Sequence, residues 1–591
     1  MPLSIRICLC ILLGGLCHAL PAQDIGSFKG KRPFDLSGGI SLNAATFHSS
    51  LPGAANRPFT WTVAGSPTVS LWGITIPFSF VYSEQDRSFR QPFNRFGASP
   101  RWKWLTLHGG HRNVSFSKYT LGGWQFLGGG FETTGKLRLG AVYGQFMRPV
   151  DVGVIDTLDR QAAVPSFDRR GYAFKLGVGT FRNYWDFVFF RASDDTLSVA
   201  SVEGRRAGQP QDNVAAGAKA NFTFFKIITF DLDAGASALT RNRFADTIRI
   251  GSDYPASLVR YFHPNVSTQV RFAGDAGLAL RLRVFQARVS YTLIQQDYAT
   301  LGVYNFSADV ERILFSPSAT LWKGKAQVQV TAGLQRNNTL GNLQRESVNR
   351  NFGFNISARP NARFNANLNY YNFQNNLQRN PGYPVDQLDS LLNFRQATQT
   401  AGANLSYRSG GKDRFHLFGF NLSGNLYGEN NTETGTRRNN LSFTPALNWR
   451  FDNRPSGWQV GSTASGGFIE TVQGKIVRWT AGVNATKRWL KDRYSLSCNS
   501  GITQTQLPGG SGGGLGWFVR TRGHIKVQKT HTLALSLNLT DAPRLQGGRV
   551  TAFNGNLTYN YSLGSLFRPK NTTPATSGNT PQLPSGKNQR S

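Results

Sequence analysis

Ala362-Arg363-Phe364-Asn365-Ala366-Asn367-Leu368-Asn369-Tyr370 sets an apolar side chain at every second position and a polar one between. An extended chain turns successive side chains to opposite faces, so this stretch is a ribbon with one oily and one wet face. The same alternation recurs about two dozen times from residue 34 to residue 563, in short runs separated by Gly, Asn and Asp. Phe285, Ala287, Val289, Tyr291 and Leu293 alternate with Gln286, Arg288, Ser290 and Thr292; Ala326, Val328, Val330, Ala332 and Leu334 alternate with Gln327, Gln329 and Thr331. Runs of about ten residues suit tilted membrane strands, and the pattern predicts an all-β fold: a single transmembrane antiparallel β-barrel over residues 34–567.

Residues 1–22 carry Arg6, the apolar run Ile7 to Leu16 and small residues up to Ala19 and Ala22, which is the pattern of a secretory signal peptide. Residues 23–33 are expected to form a short periplasmic segment before the barrel. Three of the four cysteines, Cys8, Cys10 and Cys17, lie within the signal, so Cys498 stands alone afterwards, with no disulfide framework or thiolate metal site within one chain. Beyond the signal no run approaches the roughly 20 apolar residues that a membrane helix needs. Strands in lipid must leave no unpaired edge, which calls for one closed sheet.

Connections alternate in length. Tight breaks near Leu282, at Lys323 to Lys325, at Pro360 and Asn361, at Gly410 to Lys412 and at Lys491 to Asp492 take turns with longer polar stretches at 83–99, 148–170, 193–212, 241–263, 339–349, 375–393 and 429–437. Short periplasmic turns and long extracellular loops are the outer-membrane arrangement. The runs number 25, whereas two periplasmic termini require an even count. The conflict sits in 100–147, where three runs lie between two long stretches; merging or dropping one gives about 24 strands, within a range of 22–26. Trp322, Trp449, Trp458, Trp479, Trp489 and Trp517 fall near strand ends, where interfacial girdles form. Residues 568–591 are rich in Pro, Thr, Ser, Asn and Gly and are expected to be a disordered periplasmic tail.

The net charge is +34, from 66 basic and 32 acidic residues; setting aside Arg6 and the four basic residues of the tail leaves +29. The basic residues are dispersed among loops and the polar strand face, which argues against a nucleic-acid partner and for outer-membrane lipid and anionic lipopolysaccharide. The tail and outer loops offer a place for a periplasmic or surface protein partner.

No catalytic, cofactor or metal site emerges. Gly461-Ser462-Thr463-Ala464-Ser465-Gly466 lacks the spacing of a nucleophile elbow. His108 and His111 lie near Ser115 and Ser117 with no carboxylate close in sequence, and Asp194-Asp195 reads as a turn former. The polar face itself is the candidate site. Arg271, Arg288, Arg359, Arg363 and Arg450 fall on the inward parity with Asp186, Asp231, Asp233, Asp275 and Asp452, which predicts a lumen of mixed sign. Asp231 and Asp233 are expected to pair with lumenal arginines.

One block is too rich in Phe, Pro, Gly and Arg to be a simple tether: Gln91-Pro92-Phe93-Asn94-Arg95-Phe96-Gly97, Ser99-Pro100, Trp104, Phe116-Ser117-Lys118-Tyr119-Thr120-Leu121-Gly122-Gly123, Gly128-Gly129-Gly130-Phe131-Glu132 and Ala141-Val142-Tyr143-Gly144. It resembles the N-terminal part of plug-less outer-membrane β-barrels of Bacteroidota, and the Ala22-Gln23 junction resembles signal cleavage in that phylum. The resemblance implies fold and location and brings no functional residues. TonB-dependent receptors have a similar strand count, but alternation here begins by Phe34 and leaves no room for their N-terminal plug. Residues 83–124 either fold inward as a constriction or pack on the rim. The expected function is a channel or a transport or secretion component passing solute or polymer. The alternatives are a non-transporting structural or assembly-partner barrel and, third, an outer-membrane hydrolase, which would require a serine within hydrogen-bond reach of His108 or His111.

Overall fold

The computed structural model describes residues 34–51, 58–71, 74–83, 95–150, 166–199, 209–246, 262, 264–304, 307–379, 394–431, 435, 437–471, 474–490, 492–508, 513–528, 530–543 and 548–563. The proposed signal, the segment 23–33 and the tail 568–591 lie outside them. Among the described residues, all strands join one sheet in which every pairing between strands is antiparallel. The sheet closes on itself: Gly39–Ser49 pairs with Phe59–Gly65 on one side and with Arg549–Ser562 on the other, in a register running from Gly39 opposite Ser562 to Ser49 opposite Ala552.

Three strands are interrupted once each, as Phe34–Ser37 with Gly39–Ser49, Phe59–Gly65 with Thr68–Leu71, and Arg95–Ala98 with Arg101–Trp102. The first break falls at Gly38, where φ is 109° and an added Cβ would stand 2.3 Å from the Ser66 carbonyl oxygen of the neighbouring strand's own break. With each broken strand taken as one, the barrel has 26 strands. This corrects the sequence-based figure of about 24. The region 100–147 has no surplus strand to merge; it lacks one, because Arg95–Ala98 is already strand within the stretch expected to be loop 83–99. Four strands then fit between the flanking connections and the parity is restored.

From residue 84 to residue 413 chain length separates the two ends of the barrel; farther on, Trp458–Thr471 and Gly474–Trp489 are joined at the long-loop end by residues 472–473 alone. At one end strands are joined by residues 103–104, 134–136, 180–183, 225–227, 282–284, 322–325, 359–363 and 411–413; at the other by 84–94, 148–167, 196–211, 241–267 and 380–393, much of which lies outside the described residues. The 225–227 turn forms without glycine, whereas Gly324 in the 322–325 turn takes φ of 90°. In the 225–227 turn, Phe225 and Lys226 take φ of 51° and 60° while Ile227 N–H donates to the Phe224 carbonyl at 3.1 Å. Two consecutive left-handed residues match the twist of the flanking strands, which outweighs the steric cost of placing Cβ atoms there.

Residues opposite one another across a ladder share a face, so the pairings carry each face around the barrel. Leu176 stands opposite Phe187, Val289 opposite Phe315, Phe420 opposite Leu447 and Ile502 opposite Trp517. These side chains are solvent-accessible, Leu447 by 61 % and Leu176 by 57 %. Exposed apolar residues recur on most strands, and each would be stabilised by roughly 1.5–3 kcal/mol on leaving water, so this face is built for hydrocarbon. The opposite parity faces inward. Trp322, Trp458 and Trp489 are exposed near the short-turn end and Trp479 and Trp517 toward the other, with Trp449 partly covered beside His416.

Candidate functional site

The interior is not uniform. Among the described residues the two buried apolar clusters draw on residues 114–310, and at their centre sit two connections that fold inward from the long-loop end: 116–121, between Leu105–Ser115 and Gly122–Thr133, and 295–304, after Phe285–Ile294. Phe116, Ser117, Tyr119, Thr120 and Leu121 are buried, and Phe116 N–H donates to the Leu121 carbonyl at 2.9 Å, closing the first segment into a compact turn. The inward alternative for this part of 83–124 is the one observed; 84–94 lies outside the described residues.

The second segment lies against the first. Gly122 N–H donates to the Gly302 carbonyl at 3.0 Å, Thr300 Oγ1 donates to the Thr120 carbonyl at 3.2 Å, and Tyr298 donates its hydroxyl to the Tyr119 carbonyl. Asn213, fully buried, fastens the second segment to the wall: its Oδ1 accepts from Leu301 N–H and Thr300 Oγ1, each at 3.0 Å, and its Nδ2 donates to Ser237 Oγ at 2.7 Å. Ser237 in turn donates to the Ala299 carbonyl at 2.7 Å. Buried polar groups that find such partners hold one geometry, because each alternative would leave a donor or acceptor unsatisfied.

The wall beneath is made of small residues. A Cβ on Gly140 would meet Phe116 Cζ at 2.8 Å, one on Gly217 would meet Thr120 Cγ2 at 2.9 Å, and one on Gly235 would meet Tyr119 Cβ at 3.0 Å. Ala173, Ala192 and Ala215 complete the surface on which Phe126, Phe146 and Phe190 pack. The inward positions of these strands are small because another layer of chain occupies the space a larger side chain would fill.

Charged residues stitch the seat together. Ser117 Oγ donates to Asp233 Oδ1 at 2.6 Å and Lys118 N–H to Asp233 Oδ2 at 3.0 Å. Asp275, opposite Asp233 in the ladder, accepts from both Lys118 Nζ and the Tyr119 hydroxyl at 2.5 Å. Asp231 takes a two-pronged ion pair from Arg288 at 2.7 and 2.8 Å. Asp186, 1 % exposed, is held the same way by Arg138 at 2.6 and 2.8 Å. Arg271 Nε donates to the Gln296 carbonyl at 3.0 Å. Asp233 thus corrects the expected arginine pairing: its partners are a hydroxyl and a backbone amide of the inward segment. Arg359 and Arg363 are in the exposed turn 359–363, and Arg450 lies far along the sheet with its Nε buried and without a hydrogen-bond partner.

His108 and His111, being three apart in a strand, face opposite sides; His111 Nδ1 accepts from Phe96 N–H at 3.3 Å. His108 Nδ1 lies 2.9 Å from Ser99 Oγ, and its Nε2 is 3.4 Å from Glu132 Oε1. Lys175 Nζ also reaches Glu132, at 2.9 Å, while standing 4.7 Å above the Phe116 ring. Asp194 is engaged by Arg169 at 2.7 Å, and Asp195 accepts from Leu197 N–H at 3.0 Å, the turn expected of that pair. No group of three or more metal-ligating side chains occurs among the described residues.

Sequence reading missed the segment 295–304 altogether. Its signal was indirect: the inward parity of the strands around it carries Gly and Ala, where the later strands carry Asn, Gln and Arg.

No protein-family model and no curated protein matches the chain. Among solved structures, the chain is similar to the translocation pore of the P pilus usher PapC, at 12% identity, covering 89% of this chain and 99% of that one, with a TM-score of 0.38. It is also similar to OccK11 (OpdR) of Pseudomonas aeruginosa, at 13% identity over 67% of this chain and 96% of that one, TM-score 0.29. A BenF-like porin from Pseudomonas fluorescens Pf-5 matches at 11% identity over 67% and 99%, TM-score 0.30. Likeness at this level assigns no residue a role.

Proposed function

We propose that the chain is an integral outer-membrane barrel that passes a solute or polymer through a lumen narrowed by its own inward-folded segments. The observation that carries the reading is the asymmetry of the interior. Among the described residues, 116–121 and 295–304 fill one side against a glycine-lined wall, while the inner face of the strands from Ala326 to Ser562 is polar and contributes nothing to the buried clusters. A wide barrel left partly filled conducts selectively, since the remaining bore is set by the filler. In this reading the short turns face the periplasm with both termini, the long loops face outward toward lipopolysaccharide, and the tail 568–591 is the handle for a periplasmic partner. Purified protein in a planar bilayer is expected to give discrete single-channel currents. Absence of conductance together with a stable co-purifying partner would instead establish a structural or assembly barrel.

The contact of His108 with Ser99 favours a second reading, an outer-membrane hydrolase with Glu132 as the acid. Against it, Ser99 is 5 % exposed, its own N–H is spent on the Pro77 carbonyl and so cannot serve as an oxyanion donor, and Glu132 is shared with Lys175. A fluorophosphonate probe decides the point. Stoichiometric labelling that disappears in Ser99→Ala would establish the hydrolase; an unlabelled folded protein is the outcome expected for a buried anchoring chain.

A further inference from the structure

We infer that the unfilled side of the lumen is a path for hydroxyl-bearing anions, of the class of acidic saccharides, an inference that rests on the channel reading above. The inward acids of the filled side are consumed internally: Asp186 by Arg138, Asp194 by Arg169, Asp231 by Arg288, Glu132 by Lys175, and Asp233 and Asp275 by the segment 117–119. The mixed sign legible in the sequence is therefore neutralised where it arises.

The strands from Ala326 onward differ. Arg450, Gly461, Asn484, Asn499, Arg520 and Asn538 follow one another across consecutive ladders and so share the inner face in a single row. At about 4.8 Å per strand, Arg450 and Arg520 are under roughly 20 Å apart along that row. Arg522 lies two residues beyond Arg520, and Arg478 is six positions from Asn484, roughly 20 Å toward the long-loop end at about 3.3 Å per residue. Among the described residues none of these four arginines makes an ion pair; Arg520 Nε donates to Asn538 Oδ1 at 3.2 Å and Arg450 keeps Nε buried with no partner. Among the described residues the inward acids of this wall are Asp452 and, at the loop end opposite Arg438, Glu429.

Cations spaced along the height of a polar wall draw anions through it and repel cations, because the low-dielectric barrel concentrates their field. A guanidinium fork suits a carboxylate, and the Asn side chains between the arginines present both donors and acceptors to hydroxyls. Wide spacing with weak single contacts lets a multiply charged chain advance without being trapped.

The test is zero-current potential in a KCl gradient, followed by addition of oligogalacturonate to one side, for the intact protein and for a variant carrying Arg450→Gln, Arg478→Gln, Arg520→Gln and Arg522→Gln. The intact channel is expected to favour chloride over potassium by about threefold or more and to be blocked by oligogalacturonate but not by a neutral maltooligosaccharide of equal length. In the variant both effects fall away while conductance persists. A channel that conducts without anion preference, or that the two sugars block equally, overturns this inference alone; a protein that never conducts overturns the channel reading and this one with it. Heat-modifiability of the variant on a detergent gel separates loss of selectivity from loss of the barrel.

Discussion

Ser117 donates its hydroxyl to Asp233 at 2.6 Å, joining residues 116 apart in the chain and fixing an inward turn to the barrel wall. Asp233 is 8 % exposed, so its charge depends on that donor and on Lys118 N–H. Ser117→Ala removes one charge-assisted bond and is expected to weaken the seat by about 1.5–3 kcal/mol. The outcome is a wider, noisier channel. Single-channel recording checks it; unchanged conductance in both Ser117→Ala and Asp233→Asn would show that the turn does not narrow the lumen.

Gly235 lies where Tyr119 and Tyr298 meet the wall, and an added Cβ would stand 3.0 Å from Tyr119 Cβ and 3.2 Å from the Tyr298 hydroxyl. Gly235→Val should displace the turn or strain the strand by about 1–3 kcal/mol, the range for overpacking. The control is Gly109→Ala, whose added Cβ has nothing within 4 Å. Gly235→Val is expected to raise conductance and hasten protease cleavage near residue 118, and the control to match the wild type. Equal behaviour of the two would count against the seated turn.

Asp186 is buried and its partner Arg138 partly so, and truncating the arginine strands the carboxylate. Arg138→Ala is expected to cost about 3–5 kcal/mol and Arg138→Ala with Asp186→Ala together less than the single change, because no unpaired charge remains. Urea unfolding in lipid vesicles measures both. A double variant as unstable as the sum of its parts would mean that the pair acts independently.

Cys498 is exposed on the apolar parity, opposite Ala485 and Thr521, whereas Asn499 belongs to the inner row with Asn484. A charged, membrane-impermeant thiol reagent is expected to leave Cys498 unmodified in vesicles and to label Asn499→Cys in a Cys498→Ser background at least tenfold faster, since only the latter meets water and the thiolate is the reactive form. Labelling of Cys498 at the faster rate would invert the assignment of faces for the whole sheet.

Much of this architecture is legible in the alternation around Leu368 and Val328. A period of two is a local property of the backbone, and a strand with one apolar face is committed wherever it ends up. The count of strands was harder to read, because Arg95–Ala98 is too short and its surroundings too rich in Phe, Pro and Arg to show a period at all. Boundaries also shifted: Arg345 and Arg379 are paired strand residues in stretches whose polar composition reads as loop.

The sequence by itself determined that the chain forms membrane-type strands with an oily and a wet face, and it pointed to 83–124 as a segment that either enters the barrel or rests on its rim. Only the tertiary structure decided what the wet face contains. Inward parity says that Asp233 and Arg450 share a side of the sheet, but it is silent on whether a partner stands within 3 Å. That depends on contacts such as Ser117 with Asp233 and Tyr298 with Tyr119, separated by more than a hundred residues, which exist only once the sheet has closed and brought two distant turns into the same space.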